Sequence, residues 1–487
     1  TAIGYQAMYF ADSTTTAGLS YNTAIGYQAL TGSGTASANT GTSNTALGFQ
    51  ALTSNSSGYD NTALGTNTLN ANTTGNQNVA IGKNALYSNV AKRMSIAIGY
   101  EAMRYADSTA TGDYSYNIAI GIQALRGSVT AANNTGIGNT VLGYQSGFFM
   151  TSGSNNSLLG FRAGYNSTTG GDNVAIGYYA LHDNRANSES VAIGYEAMRY
   201  ANSSTSGDLT GNTAVGYLAL RGSTTAANNT GAYNTVLGSR AGVDITSGSS
   251  NVSIGTEALS INQTGSSNVA IGYNAVGINS TGNHTAIVAI GDQVMAEAAG
   301  STSYNIGLGS TALFSVSGNS NIAIGYQAGI SLTSGSSNIL IGHQVDAPSA
   351  TGSNQLSIGN TIYGDLSTDQ VYIGAITTPS AKFSVLGGGT TSATTNVELM
   401  NSSESTIFKV LDNGQVTMAD DLIVTGGNIQ VGSSNGKVRF NTTDSVLEFT
   451  NDGGTTWIPL GSLTKKEVLA AEYAGATLVA DGSSNTG

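Results

Sequence analysis

The sequence predicts an all-β protein, a parallel β-solenoid in which each repeat forms one coil stacked on its neighbours. A nine-residue phrase close to Asn-Thr-Ala-Ile-Gly-Tyr-Gln-Ala-Leu, first complete at Asn22–Leu30, recurs about twenty-one times. The central glycine of the phrase returns mostly after 17 or 22 residues. Each copy keeps Ala, Ile, Leu or Val at the same positions, so every coil has apolar side chains to bury. A fixed period of this size is typical of a solenoid.

The glycine spacings contain a longer repeat. They run 22, 22, 17, 17 and 17 residues, which makes 95; this series occurs twice in full and a third time with 19 as its last spacing, after which it drifts. Ser95–Tyr105 accordingly returns as Ser190–Tyr200 with one substitution. We expect short coils to define a shared wall and long coils to carry about five extra residues outside it. The structural glycines singled out by this pattern are Gly26, Gly48, Gly99, Gly121, Gly194 and Gly216.

Within one coil the first strand is predicted just before the glycine. Thr23 and Ile25 alternate with Asn22 and Ala24, so the two pairs face opposite sides. We expect the Thr23/Ile25 face to line the interior, and the flat Ala24 face to meet a second wall or subunit. A second short strand is predicted at Tyr27–Leu30. Coils spaced ~4.8 Å apart make an array about 100 Å long.

Stacked coils place like residues in columns, and the asparagines that open each phrase form one such column. We expect a structural hydrogen-bond ladder there rather than a ligand site. Only about four apolar side chains serve each coil, which is a thin core for the conformational entropy lost on ordering. Oligomerisation buries more surface, so a homotrimer is predicted.

Composition excludes several functions. The chain has 487 residues, 16 Lys plus Arg against 28 Asp plus Glu, a net charge of −12 and no cysteine. No basic stripe exists to neutralise phosphates, so nucleic-acid binding is not expected. The absence of cysteine excludes disulfides and thiol catalysis. No run of eighteen apolar residues occurs, so this segment is not expected to enter a membrane. Because the chain begins inside a repeat and ends in a polar stretch, we expect further segments beyond it.

Catalytic, cofactor and metal sites are not predicted. His182, His284 and His343 are too far apart in the sequence to suggest a metal site, and are expected to be isolated surface residues. Glu101 and Glu196 repeat at the same coil position. Such repetition suits a structural or multivalent role better than one active site, so the chain is not expected to be an enzyme.

Any ligand is expected at the loops of the long coils, because charge is scarce elsewhere and four arginines lie there. Two interpretations stay open, namely recognition loops and duplicated surface loops without a role. The predicted loops cover residues 9–21, 31–43, 104–116, 126–138, 199–211 and 221–233. The candidate ligand-contact residues are Arg104, Tyr105, Asp107, Arg126, Arg199, Tyr200 and Arg221.

The phrase Ser-Val-Ala-Ile-Gly-Tyr-Glu-Ala at Ser190–Ala197 closely resembles the head repeat of trimeric autotransporter adhesins. Similar tracts occur in phage tail fibres and in repetitive bacterial surface proteins. The resemblance covers residues 1–346 and extends more weakly to Gly374. It implies a left-handed parallel β-roll with three chains side by side, which binds matrix or host surfaces. The coils here are longer than is usual in that family, and the sequence shows no heptad stalk.

Three regions are predicted. Residues 1–374 form the solenoid, residues 375–462 a β-rich connector with hairpins, and residues 463–487 a short helix and polar tail. Asp412–Gly414 and Asn451–Gly454 are hairpin turn signals in the connector.

Two functions are compatible with these observations. The favoured one is an extracellular adhesin or receptor-binding fibre of a cell surface or virion, with a host-cell or matrix protein or glycan as its partner. The alternative is a structural spacer or filament with no ligand of its own.

Overall fold

A computed structural model describes most of the repeat region and parts of the C-terminal region. The described residues are 1–11, 19–200, 209–225, 228–277, 282–368, 370–373, 383–385, 395–400, 406–411, 416–418, 429–430, 437–441, 446–450 and 458–459. By their internal contacts they divide into two units, Thr1–Ser384 and Val385–Gly487. The predicted helix within residues 463–487 lies outside the described residues.

The first unit is a parallel β-solenoid, as the sequence predicts. Each coil contributes one short strand, and each strand pairs in parallel with the strands of the two neighbouring coils. Equivalent residues stand directly opposite one another, for example Thr45 opposite Thr62 and Leu47 opposite Leu64. The parallel strands are β1 Ala2–Ile3, β2 Thr23–Ile25, β3 Thr45–Leu47, β4 Thr62–Leu64, β5 Val79–Ile81, β6 Ile96–Ile98, β7 Ile118–Ile120, β8 Thr140–Leu142, β9 Ser157–Leu159, β10 Val174–Ile176, β11 Val191–Ile193, β12 Thr213–Val215, β13 Thr235–Leu237, β14 Val252–Ile254, β15 Val269–Ile271, β16 Val288–Ile290, β17 Ile306–Leu308, β18 Ile322–Ile324, β19 Ile339–Ile341 and β20 Gln355–Ile358.

The parallel ladder ends at β20, where the chain reverses. Strands β21 (Ile362–Asp365) and β22 (Gln370–Ile373) continue antiparallel from it, and β23 spans Phe383–Val385. The second unit contains two antiparallel sheets. One consists of β24 Thr395–Met400, β25 Thr406–Leu411 and β26 Val416–Met418, and the other of β27 Ile429–Gln430, β28 Lys437–Asn441, β29 Val446–Thr450 and β30 Ile458–Pro459. Both predicted hairpin turns lie outside the described residues.

The two faces of the strand are the reverse of the sequence expectation. Ala24 and its equivalents are fully buried inside the coil, whereas Ile25 and Thr23 lie on the outer surface and are only half-buried. Leu64 is 41% exposed next to the fully buried Ala63. The small residue faces inward because the opposite wall brings a large one, Leu69 in this coil, into the same narrow interior.

The sizes of the inward-facing strand residue and of the inward-facing turn residue vary together from coil to coil. Where the inward strand residue is larger, as in Val141 and Leu158, the nearby turn position is Gly147 or Gly164 instead of Leu or Met. A Cβ on Gly164 would lie 2.9 Å from Leu158 Cδ1. In these two coils the large side chain at this level of the interior therefore comes from the strand instead of from the turn.

The predicted second strand at Tyr27–Leu30 is wrong, because this segment is a turn. Gln28 and Leu30 have φ of 52° and 49°, in the left-handed region. Their amides consequently point in opposite directions along the axis. The Gln28 amide donates to Tyr5 O of the preceding coil (2.9 Å), and the Leu30 amide to Ala51 O of the following one (2.8 Å). Hydrogen bonding between coils offsets the strain of these conformations.

The asparagine column is a structural ladder, as predicted. The backbone amide and the Nδ2 of Asn61 both donate to Asn44 Oδ1, each at 3.0 Å. Asn61 Nδ2 also donates to Gly75 O at 2.9 Å, across the coil. Asn78 makes the same two contacts to Asn61 Oδ1, and its Nδ2 also donates to Lys92 O at 3.0 Å. Each buried asparagine thus fixes the stacking of two coils and closes its own coil.

His284 was expected on the surface and is instead fully buried. Its Nδ1 lies 2.8 Å from Thr302 Oγ1. Burial lowers the pKa of His284 to about 4. The imidazole is therefore neutral at physiological pH and belongs to the interior of the solenoid.

Replacing a central glycine tests how closely the coils approach. Gly160 has φ +140°, and a Cβ there would lie 2.4 Å from Gly177 O. We expect Gly160→Ala to lower the free energy of unfolding by at least ~2 kcal/mol, because backbone strain and a steric clash act together. Thermal unfolding followed by circular dichroism measures this. Gly34→Ala is the control, since no atom lies within 4 Å of that added Cβ. Equal midpoints for the two variants would contradict the proposed packing.

Candidate functional site

The second long coil of each 95-residue block carries a loop with a shared sequence frame. We call these three segments the Ser–Asn loops. Each starts with Gly-Ser, has Thr at its fourth position and ends with Asn-Thr-Gly. They span residues 32–41, 127–136 and 222–231.

One buried asparagine holds each Ser–Asn loop in shape. Asn134 Oδ1 accepts the Ser128 amide at 2.9 Å, while Asn134 Nδ2 donates to Ser128 O at 2.7 Å. The same Nδ2 donates to Tyr105 O at 2.7 Å, which ties the loop to the preceding coil. Asn39 and Asn229 make the corresponding contacts in their loops. The loops are consequently three copies of one clamped structure.

The described residues at the tips of the loops are exposed although their bases are fixed. The tip of the second loop contains a short 3₁₀ helix, Ala131–Asn133, whose residues are all solvent-exposed. Val129 just before it is 73% exposed. A rigid base and an apolar, exposed tip are properties of a surface that can contact another molecule without a large ordering cost.

The candidate arginines lie beside these loops and are engaged within the chain. Arg104 Nη1 forms an ion pair with the buried Glu101, and Arg126 Nε lies 3.4 Å from the other oxygen of that carboxylate. Burial opposes ionisation of Glu101, but the hydrogen bond from Gln123 and the charge of Arg104 hold its pKa below the usual value. Both guanidinium groups lie over the Tyr105 ring, at 5.0 and 4.8 Å.

The next block repeats this arrangement in part. Arg199 Nη1 donates to Glu196 Oε1 at 2.5 Å and stacks over Tyr200 at 5.0 Å. Arg221 O accepts the Tyr200 amide at 3.0 Å, and the Arg221 side chain is half-buried. The structure therefore groups the predicted arginines and tyrosines in one column, where they stabilise the wall from outside.

Asp107 is buried rather than presented to solvent. Its carboxylate accepts hydrogen bonds from Ser95 Oγ (2.5 Å), Ser115 Oγ (2.8 Å) and Asn117 Nδ2 (3.1 Å). Ser95 occupies a ladder position that is Asn in most coils, and a serine cannot provide the missing amide oxygen. The Asp107 carboxylate replaces that oxygen from the loop. Burial raises its pKa above the usual value, although these hydrogen bonds oppose the rise.

The outer wall carries a second, apolar feature, which includes the Ile25-type strand residues that were predicted to line the interior. The residue after each central glycine is often aromatic, and in five successive coils these rings form one continuous stack at 5.1 to 5.3 Å. Leu159 and Ile176 lie beside them and are 47% and 36% exposed. We call this surface the outer apolar face. Its stacked rings are Tyr144, Phe161, Tyr178, Tyr195 and Tyr217.

Within the described part of the chain, no three His, Asp or Glu side chains come together as metal ligands would. In the same part of the chain, no helix has both the length and the apolar character needed to cross a bilayer. The chain matches no known family model, and comparisons with curated proteins and with solved structures found no significant match.

The role of Asp107 can be tested by pH. A carboxyl whose pKa is raised in the folded state stabilises the fold when protonated; this contribution is complete below the unfolded pKa near 3.8 and is lost as pH rises from there through the raised folded-state pKa. We expect Asp107→Asn to remove this pH dependence and to match or exceed the neutral-pH stability of the wild type. Asn202 occupies the equivalent position of the next block, so the replacement is one the repeat already uses.

Asp107→Ala removes the acceptor for three buried donors, and we expect it to cost ~2 kcal/mol. Thermal melts between pH 4 and pH 8 compare the variants, with exposed Asp60→Asn as the control. The assignment is contradicted if Asp107→Asn destabilises the protein as much as Asp107→Ala does.

Proposed function

We propose that this chain is part of an extracellular receptor-binding fibre of a cell surface or virion. The solenoid acts as a rigid rod, and the Ser–Asn loops contact a host-cell or matrix protein or glycan. One observation carries the proposal, namely that the same clamped loop is built three times with the same asparagine contacts. The role is one of binding, without catalysis.

The loops support this proposal better than the arginine column does. Arg104 and Arg199 each pair with a carboxylate of the same coil and stack on rings, so a ligand would have to compete with those contacts. The described tip residues of the loops face solvent, so a ligand can contact them without displacing an ion pair. Five coils separate successive loops, which corresponds to about 24 Å along the axis. Weak contacts at regular spacing add up through avidity on a surface with many receptors.

A homotrimer is part of the same proposal, with its interface moved from the alanine side to the outer apolar face. Ala63 and its equivalents are fully buried inside the coil, so they cannot contact a partner chain. The outer apolar face instead keeps large side chains half-exposed coil after coil. A partner that matches it along its length needs the same axial spacing, which another copy of this chain has. Three copies also multiply each loop by three.

Shortening the long coils tests the receptor-binding role. Residues 53–60 connect turn to strand in a short coil, and they can replace residues 31–43, 126–138 and 221–233. Because the wall is unchanged, we expect a stable solenoid by circular dichroism. Binding of the labelled protein to host cells should fall at least tenfold.

Deletion of one block, residues 95–189, is the matched control. It shortens the rod by about 24 Å but keeps the first and third Ser–Asn loops, so we expect cell binding to persist with lower avidity. Full binding by the loop-shortened variant would favour the alternative, a structural spacer whose attachment lies elsewhere.

The trimer is tested by mass in solution. We expect light scattering to give three times the chain mass of 49.1 kDa. Leu159→Glu with Ile176→Glu should give folded monomers, because both charges would enter the interface. Thr130→Glu at an exposed loop position is the control and should remain trimeric. A wild-type monomer, or a trimer unaffected by the two charges, would contradict the assignment.

A further inference from the structure

An open groove lies beside the second Ser–Asn loop. Ser128 of that loop forms one wall, and residues of the next coils form the other. The groove encloses about 410 Å³. Its other lining residues are Phe149, Thr151, Asn166, Thr168 and Arg185.

The third Ser–Asn loop has a groove at the equivalent place. This groove encloses about 680 Å³, and Ser223, Asp244, Thr246 and Gln263 are among its lining residues. These four residues stand 95 positions after Ser128, Phe149, Thr151 and Thr168, respectively. The grooves are therefore one architectural feature repeated with the block, and both volumes lie in the range of ~300–1,000 Å³ typical of small-ligand sites.

The polar groups of the grooves are held by bonds between coils. Thr151 Oγ1 donates to Thr168 O at 3.0 Å, and Thr168 Oγ1 donates to Arg185 O at 2.8 Å. Thr246 Oγ1 donates to Gln263 O at 3.0 Å in the other groove. Because each of these threonine hydroxyls donates its proton to a carbonyl of the next coil, its oxygen is held in place and can accept a hydrogen bond from a ligand.

Each groove adds complementary groups to these acceptors. The Phe149 ring is 43% exposed and packs edge-on against Phe148 and Tyr165, which fixes its orientation. Arg185 is an exposed donor on the same groove. The groove beside the third Ser–Asn loop is lined by Arg221, and Asp244 stands there in place of Phe149. Both grooves combine a fixed threonine acceptor with a guanidinium donor, and the groove beside the second Ser–Asn loop adds an exposed ring; together these groups suit a ligand with many hydroxyls and an apolar side.

We propose that the two grooves, beside the second and third Ser–Asn loops, are binding sites for an oligosaccharide. The inference rests on the proposed receptor-binding function and names its ligand class. A glycan chain offers hydroxyl donors to Thr151 and Thr168 and oxygen acceptors to Arg185. The apolar face of a sugar ring would pack on Phe149. Binding at both blocks gives the spacing of five coils over which avidity acts.

The probe is an array of immobilised neutral and carboxylate-bearing oligosaccharides. We expect the full chain to bind a subset of them. Arg185→Gln together with Gln263→Ala should lower that binding at least tenfold without changing the melting midpoint, because both side chains are exposed. Lys83→Gln, an exposed cation on the outer wall, is the matched control and should bind as the wild type does.

Binding to host cells before and after periodate oxidation separates this inference from the proposed function. Periodate cleaves sugar diols and leaves protein receptors. Loss of binding after oxidation supports the grooves as glycan sites. Unchanged binding to oxidised cells, or array binding unaffected by the double variant, overturns the groove proposal but leaves a protein receptor open. A chain that binds no cells at all overturns the receptor-binding function itself.

Discussion

The close approach of backbones at the central glycines is the constraint on which the rest of this solenoid depends. At Gly26 a side chain would collide with the carbonyl of Gly48, and the same holds in coil after coil. The chain can turn there because φ is +135°, a conformation that side chains rarely adopt. This corner sends the chain from strand to turn within one residue. The short turn then fixes which side chains enter the coil.

A narrow interior follows from this corner. It leaves space for Ala on one wall and Leu or Met on the other, so larger strand residues must point outward. The outer apolar face and the buried asparagine ladder are both results of this division. Long coils depart from the wall only after the turn is complete. They can therefore vary without disturbing the stacking. A single buried Asn in each Ser–Asn loop fixes the base of the loop by hydrogen bonding to a carbonyl of the preceding coil.

Much of the fold could be predicted from the sequence, because period and column residues are direct consequences of stacking. The glycine spacing, the ladder at Asn61 and the positions of the long coils are of this kind. The facing of Ala24 was not predicted, since alternation defines two faces but not which one is interior. The sequence did indicate that the Ala24 face is interior, because coils with a large residue at this position, Val141 or Leu158, have Gly147 or Gly164 in the turn instead of Leu or Met. The pairing of Arg104 with Glu101 depends on the turn conformation of this segment, which was predicted to be a strand. The replacement of a ladder oxygen by Asp107 depends on how its loop folds back, which no local pattern reveals.

The volume exchange inside the coil provides the most direct test of this account. Ala63→Leu alone should destabilise the solenoid, because Leu69 already fills that space. Adding Leu69→Gly recreates the combination found at Leu158 and Gly164 and should recover the loss. We predict a favourable coupling of ~1–3 kcal/mol in a double-mutant cycle of unfolding free energies. Additive effects, or an Ala63→Leu variant as stable as the wild type, would contradict an inward alanine column.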